Sequence, residues 1–117
     1  MESFKVQPKV SVLMITYNHE PFIAEAIESV LMQQTAFDFE LVIGEDCSTD
    51  NTRDVVNAYA TKLPETIKPL LHARNLGMLR NFATVYHACQ GQYIAILEGD
   101  DYWTDSCKLQ KQVMHMD

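Results

Sequence analysis

Apolar and polar positions along this chain alternate between two kinds of pattern. Val10 to Thr16 (VSVLMIT) is a nearly continuous, β-branched-rich apolar run. Such a run predicts a buried strand of the kind found inside parallel sheets. Pro21 then sits where a first helical turn tolerates proline. Ile23, Ala26, Ile27, Val30 and Leu31 recur at helical spacing, predicting an amphipathic helix from about Pro21 to Gln33. Phe39 to Gly44 (FELVIG) predicts a second buried strand. Ser48-Thr49-Asp50-Asn51-Thr52 is rich in helix-capping types, and Val55, Val56 and Tyr59 follow on a helical stripe. Ile67 to His72 predicts a weaker third strand, and Asn75-Leu76-Gly77 a turn. Leu79, Phe82, Ala83 and Tyr86 mark a third helix. Tyr93 to Leu97 (YIAIL) predicts the fourth strand, and a last helix starts near Thr104.

Strands alternating with helices imply an α/β fold: a Rossmann-like parallel sheet with helices on both faces. Ligands of such sheets bind beyond the carboxyl ends of the strands, near a switch in strand order. The polar clusters fall where that rule places them. Tyr17-Asn18 follow the first strand, Glu45-Asp46 the second, and Glu98, Asp100 and Asp101 the fourth.

At 117 residues the chain has the size of one small domain, and its 47% hydrophobic content suffices for a core. Its 9 Lys plus Arg against 16 Asp plus Glu give a net charge of −7. That balance argues against a nucleic-acid partner, whose phosphates demand basic patches. A phosphorylated small molecule stays open, because a metal ion can bridge acid to phosphate. Cys47, Cys89 and Cys107 are odd in number and far apart, and no C-x-x-C occurs. Structural zinc and a disulfide framework are therefore not expected, and a reducing cytoplasm fits. The N-terminus, MESFKVQPKV, has no apolar signal core, and no run approaches the ~20 apolar residues that span a bilayer.

The run Glu98-Gly99-Asp100-Asp101 is the sharpest chemical feature. Two carboxylates ~4 Å apart repel by ~4 kcal/mol at an effective dielectric of about 20. A proton, a cation or divergence into water must relieve this. Oxygen donors without His or Cys nearby favour Mg²⁺ or Mn²⁺. Read alone, the run is a solvated acidic turn capping the next helix.

Its context is more specific. VSVLMITYN, SVLMQQ, FELVIGEDCSTDNT, RNLGMLRNF and GQYIAILEGDDYW occur in that order. Together they resemble the family 2 glycosyltransferases of the GT-A fold, over about residues 9 to 112. The resemblance implies that this is the nucleotide-sugar-binding domain over residues 1–117, truncated from a longer enzyme. It implies that Thr16, Tyr17 and Asn18 lie beside the nucleotide base, and that Asp46 accepts a uracil N–H. It further implies that Asp100 contacts the ribose, and that Asp101 ligates a Mg²⁺ or Mn²⁺ bridging the donor diphosphate. Glu98 and Glu45 stand where many members carry Asp, and Cys47 where Gly is common. Cysteine does not adopt positive φ cheaply, so the loop after Asp46 is expected to differ locally.

By the same resemblance the chemistry is metal-dependent and inverting. The donor is a nucleotide-diphosphate sugar, with UDP suggested by Asp46, and the acceptor is a saccharide or lipid-linked hydroxyl. The location is cytoplasmic, extending to the inner membrane face. The catalytic base and the acceptor site are expected beyond Asp117.

Other residues carry weaker expectations. Ser48, Thr49 and Asp50 read as caps of the second helix rather than ligands. Arg80, early in the third helix, is a candidate diphosphate contact alongside free helix N–H groups. Arg74 and Lys108 are weaker candidates. The four histidines share no metal-ligand spacing, and His19 reads mainly as part of a helix start. Trp103 and Tyr102 either stack on a sugar or fill core beneath the loop. Cys47 lacks a nearby base in sequence, so it is not expected to act as a nucleophile.

Two rival classes fit less well. A sugar-phosphate nucleotidyltransferase would carry a Gly-rich basic loop after the first strand, where this chain has Tyr17-Asn18-His19-Glu20. A non-catalytic, receiver-like domain would need acids after its first strand, whereas here they follow strands two and four.

Overall fold

The computed structural model describes residues 7–116, the last by its backbone alone. Most of the stretch inspected for a signal core, residues 1–6, lies outside the described residues, as does Asp117. The elements are β1 (Val10–Thr16), α1 (Ile23–Leu31), β2 (Phe39–Glu45), α2 (Thr52–Lys62), β3 (Ile67–Leu71), α3 (Met78–Ala88), β4 (Tyr93–Ile96) and α4 (Lys108–Met116). The alternation is the one the periodicity predicts.

The strands form a four-stranded sheet in the order β3-β2-β1-β4, and each neighbouring pair is parallel. Every residue of β1 is buried. A central parallel strand has both faces covered, which is why its sequence is apolar without alternation. On one face, Val10, Val12 and Met14 of β1 and Leu41 and Ile43 of β2 meet Ile23, Ile27 and Val30 of α1, Val56 of α2, and Leu109 and Val113 of α4. On the other face, Leu13, Ile15 and Val42 pack against Val85 of α3.

β4 is less buried than β1. It alternates between half-buried and exposed positions, with Ile94 and Ile96 36% and 56% exposed. α3 packs over β1 and β2, and Ile94 and Ile96 stay exposed at the outer edge of that face.

β2, β3 and β4 each end one residue from the expected position, and three helix ends differ by more, each for a local reason. α1 starts at Ile23 rather than Pro21 because the His19 carbonyl accepts both the Phe22 and Ile23 N–H groups, closing a turn first. It stops at Leu31 rather than Gln33. The buried Gln33 side chain turns away to join α1 to the start of α4: Nε2 donates to the Ser29 and Asp105 carbonyls, and Oε1 accepts the Leu109 N–H. α4 starts at Lys108 rather than near Thr104 because Asp105 closes a turn ahead of it. The Asp105 carboxylate accepts the Cys107 N–H and its carbonyl accepts the Lys108 N–H. Lys111 also donates to that carboxylate, and this bond, ahead of the Cys107 one, holds Asp105 below the usual carboxylate range.

α3 approaches β2 closely at Gly44. A Cβ there would lie 2.1 Å from Asn81 Oδ1 and 2.5 Å from a Val85 methyl. The buried Asn81 uses this proximity, since its Nδ2 donates to the Gly44 carbonyl at 2.9 Å. Gly44→Ala is therefore expected to destabilise the fold by roughly 1–3 kcal/mol through overpacking. Urea denaturation reads this as a lowered midpoint at unchanged slope.

The Tyr59 hydroxyl of α2 donates to the Glu28 carboxylate of α1 at 2.6 Å. That bond, with burial and the carboxylate charge, pushes the Tyr59 phenol up to about 12. A raised folded value gives stabilisation that is whole below the ordinary value of about 10 and lost as the pH rises through the folded value. Thermal melts of Tyr59→Phe should lie below those of the unmodified chain at pH 8. The gap should narrow between about pH 10 and 12, the window set by the two values.

Candidate functional site

The strand order reverses at β1, which has β2 on one side and β4 on the other. The crevice between the carboxyl ends of β1 and β4 is thus the switch point, where sheets of this kind hold ligands. A cavity of about 480 Å³ opens at the carboxyl end of β4, lined by Ile96, Leu97, Glu98, Asp100, Asp101 and Trp103. Glu98, Asp100 and Asp101 are all exposed. The Asp101 N–H donates to the Glu98 carbonyl at 3.0 Å, and Asp101 Oδ1 accepts the Tyr102 N–H at 2.8 Å. This tight turn leaves the rest of the Asp101 carboxylate facing water.

Among the described residues, no three His, Cys, Asp or Glu side chains converge to hold a metal ion. A cation here would rest on one or two carboxylates and take its other ligands from water or substrate. Mg²⁺ and Mn²⁺ suit such oxygen-only sites shared with phosphates. Trp103 is buried in the core, and Lys108 Nζ lies 5.2 Å from its ring centroid. It fills space beneath the acidic loop while its edge lines the cavity; Tyr102 is 49% exposed.

Gly99 is fixed by what lies beneath it. A Cβ there would meet Thr16 Oγ1 at 2.5 Å and His19 Nδ1 at 3.0 Å. Those two atoms are themselves 2.9 Å apart and hydrogen-bonded. The other ring nitrogen of His19 lies 3.8 Å from Asp100 Oδ2. The ends of β1 and β4 therefore touch through Thr16, His19 and Asp100. His19 does serve the helix start expected of it, but through its carbonyl; its ring belongs to the acidic rim.

Asn18 adopts the left-handed region at φ 55°, which asparagine tolerates better than most residues. Its Oδ1 accepts the Thr49 and Asp50 N–H groups, and its own N–H donates to Ser48 Oγ. Ser48 and Thr49 are therefore not caps of α2, as expected from sequence; they bind Asn18. Only Asp50 reaches α2, accepting the N–H and hydroxyl of Thr52. Burial works against ionisation of Asp50, but the Thr52 and Glu20 hydrogen bonds prevail and hold it below its ordinary value. Cys47, for which positive φ was expected to be avoided, sits at φ 60°. The loop keeps the left-handed turn and tolerates the strain, because bonds on either side of Cys47 hold it.

Those bonds come from Glu45 and Asp46. Glu45 is fully buried, accepts the Arg53 guanidinium at 2.6 Å and the Ser48 N–H at 2.9 Å, and so folds the loop over itself. Arg53 also donates to the His72 carbonyl, and His72 Nε2 meets Asn81 Oδ1 at 2.9 Å. Asp46 is 2% exposed. Its oxygens accept the Leu76 N–H at 2.7 Å, the Gly77 N–H at 3.0 Å and Asn75 Nδ2 at 3.2 Å. This carboxylate ties the turn before α3 to the end of β2.

Sequence reading missed Arg53, Asn75 and Asn81 as organisers of the rim. Their only signal was a polar residue on an otherwise core-facing or turn position. Arg80 lies in the first turn of α3 and Arg74 just before it; both are exposed, as is Tyr17 at 41%.

A parallel sheet with an acidic loop at its switch point defines an open-sheet α/β protein of the Rossmann-like class. Residues 11–117 match the family model "Glycosyl transferase family 2", and the chain belongs to that family. The protein Rv1520 of Mycobacterium tuberculosis is 43% identical over 108 residues, which is 92% of this chain and 31% of that protein. Staphylococcus aureus TarS, solved as residues 1–349 in complex with UDP-GlcNAc, is similar at 30% identity with a TM-score of 0.81, covering 93% of this chain and 31% of that one. The mannosyltransferase PcManGT of Pyrobaculum calidifontis, solved with GDP-Man and Mn²⁺, shares the fold at 24% identity and a TM-score of 0.79, covering 92% of this chain and 32% of that one. The chain thus spans about a third of the length of these relatives. No described helix is long and apolar enough to cross a membrane.

Replacing Cys47 by glycine relieves the left-handed strain, roughly 1–2 kcal/mol for a non-glycine residue. Unfolded-state entropy takes back about 0.4–1 kcal/mol. Cys47→Gly is therefore expected to stabilise the fold by about 0.5 kcal/mol. Chemical denaturation checks the sign; a lowered midpoint would mean that the Cys47 thiol contact with the Ala73 carbonyl outweighs the strain.

Proposed function

We propose that this chain binds the donor for a glycosyltransferase moving a sugar from a nucleotide-diphosphate sugar, a UDP-sugar, to an acceptor hydroxyl. The acceptor is a saccharide or a lipid-linked sugar. The supporting observation is the meeting of the β1 end, through Thr16 and His19, with Gly99 and Asp100 of the acidic loop at the switch point. TarS, solved with UDP-GlcNAc, supports the donor class.

In this reading Thr16, Tyr17 and Asn18 border the base. Three of the roughly four lone-pair positions of the Asp46 carboxylate are filled by residues 75–77, leaving one for a uracil N–H. Asp100 accepts from the ribose hydroxyls. Asp101 holds a Mg²⁺ or Mn²⁺, which when bound offsets charge on the diphosphate leaving group. Arg80 and the first N–H groups of α3 offer further positive potential near that rim. Transfer proceeds with inversion. The base that takes the acceptor proton, and the acceptor site, belong with the two thirds of the relatives' length that this chain does not span. The location is cytoplasmic, at or near the inner membrane face.

Calorimetric titration with UDP, GDP and dTDP, each with and without Mn²⁺, tests this reading. UDP should bind most tightly, and Mn²⁺ should strengthen it at least about tenfold, as expected for a metal bridging carboxylate and phosphate. Asp101→Asn should remove most of that metal dependence. Failure of every nucleotide to bind in the presence of Mn²⁺ would sink the donor-binding reading for this chain.

A further inference from the structure

We infer that His19 is a positioning residue for Asp100, aiming its carboxylate at the donor ribose through an imidazole held by Thr16. The inference rests on the reading of Asp100 as the ribose contact.

Three observations converge. Thr16 Oγ1 and His19 Nδ1 are hydrogen-bonded at 2.9 Å, with Thr16 buried. His19 Nε2 is 3.8 Å from Asp100 Oδ2, with side-chain exposures of 21% and 48%. Gly99 has no room for a Cβ because the Thr16–His19 pair fills the space beneath it. The backbone just before Asp100 therefore rests on the imidazole and the threonine.

The chemistry of the pair selects a tautomer. A neutral imidazole has one donor nitrogen and one acceptor nitrogen. If Nδ1 carried the proton, the lone pair of Nε2 would face the Asp100 carboxylate, and the two would repel. If the Thr16 hydroxyl donates to Nδ1, the proton sits on Nε2 and faces the carboxylate. The second arrangement is favoured. A separation of 3.8 Å exceeds a hydrogen bond, so the ring acts on Asp100 by its oriented N–H dipole, and a small rotation closes the contact. Asp100 is otherwise a half-exposed acid beside another carboxylate. The imidazole N–H holds it on the β1 side of the crevice while Asp101 turns away in its own tight loop. The backbone of His19 is anchored too: its N–H donates to Thr52 Oγ1 at 2.9 Å, and its carbonyl accepts the Phe22 and Ile23 N–H groups at the start of α1.

The test separates this role from a structural one. The chain and its His19→Ala, His19→Gln and His19→Asn variants are titrated with UDP, 2′-deoxy-UDP and 3′-deoxy-UDP at saturating Mn²⁺. Glutamine places an amide N–H near the Nε2 position, and asparagine near the Nδ1 position. His19→Ala should weaken UDP roughly fivefold, the size of one oriented polar contact. His19→Gln should stay within about twofold of the unmodified chain by retaining a donor toward Asp100. His19→Asn, which keeps only the Thr16 partner, should behave like His19→Ala. One of the deoxy nucleotides should bind the unmodified chain more weakly than UDP, and should then be indifferent to His19→Ala.

Rescue by asparagine rather than glutamine would assign the ring to Thr16 alone and overturn the inference. So would equal losses for UDP and both deoxy forms, or no loss for UDP. If His19→Ala fails to fold by circular dichroism, the glutamine and asparagine variants decide the matter, since both keep a polar side chain. Binding of UDP to the unmodified chain with no dependence on His19 removes this inference alone. Failure of the unmodified chain to bind any nucleotide removes the donor reading and this inference together.

Discussion

Two adjacent carboxylates, Glu45 and Asp46, end the central part of the sheet with 0% and 2% exposure. Everything at the functional rim depends on how these charges are satisfied. An ionised carboxylate taken from water costs several kcal/mol unless donors replace its hydration, by the usual figures for buried ions. Glu45 draws Arg53 of α2 and the Ser48 N–H onto itself. Asp46 draws the 75–77 turn. Two loops far apart in sequence are thereby fixed on either side of the same strand end.

The first strand's loop is fixed by the same means with neutral groups. The Asn18 carboxamide accepts from the 49–50 backbone, so the loop after β1 leans on the loop after β2. His19 then turns the opposite way, toward the loop after β4. The rim runs from the turn before α3 through Asp46 and its neighbour Glu45, the 48–50 loop and Asn18 to His19 and Asp100. Strain at Cys47 and Asn18 persists because that network determines their backbone on both sides.

This arrangement explains why the acidic loop can be both exposed and ordered. Asp100 and Asp101 face open solvent. Their backbone is held from below by Gly99 against Thr16 and His19, and from behind by the buried Trp103. A rigid floor with solvent-facing carboxylates is what a preorganised site requires.

The sequence by itself determined the parallel α/β sheet, its element order and the rim on which the polar groups gather. Those follow from periodicity: VSVLMIT and FELVIG have no alternation and must be buried on both faces, and the intervening stripes repeat at helical spacing. It also marked Glu98 to Asp101 as the acidic wall of the crevice. Only the tertiary structure decided that Ser48 and Thr49 serve Asn18 instead of α2, that Asp46 is enclosed by residues 75–77, and that the His19 ring faces Asp100. These partners are about 30 or more residues apart in sequence. Local propensity ranks residue types for caps and turns, but it carries no information about which distant donor reaches a buried acceptor first. The exposed half of β4 was hidden for a related reason, since burial of an apolar strand depends on which helix packs over it.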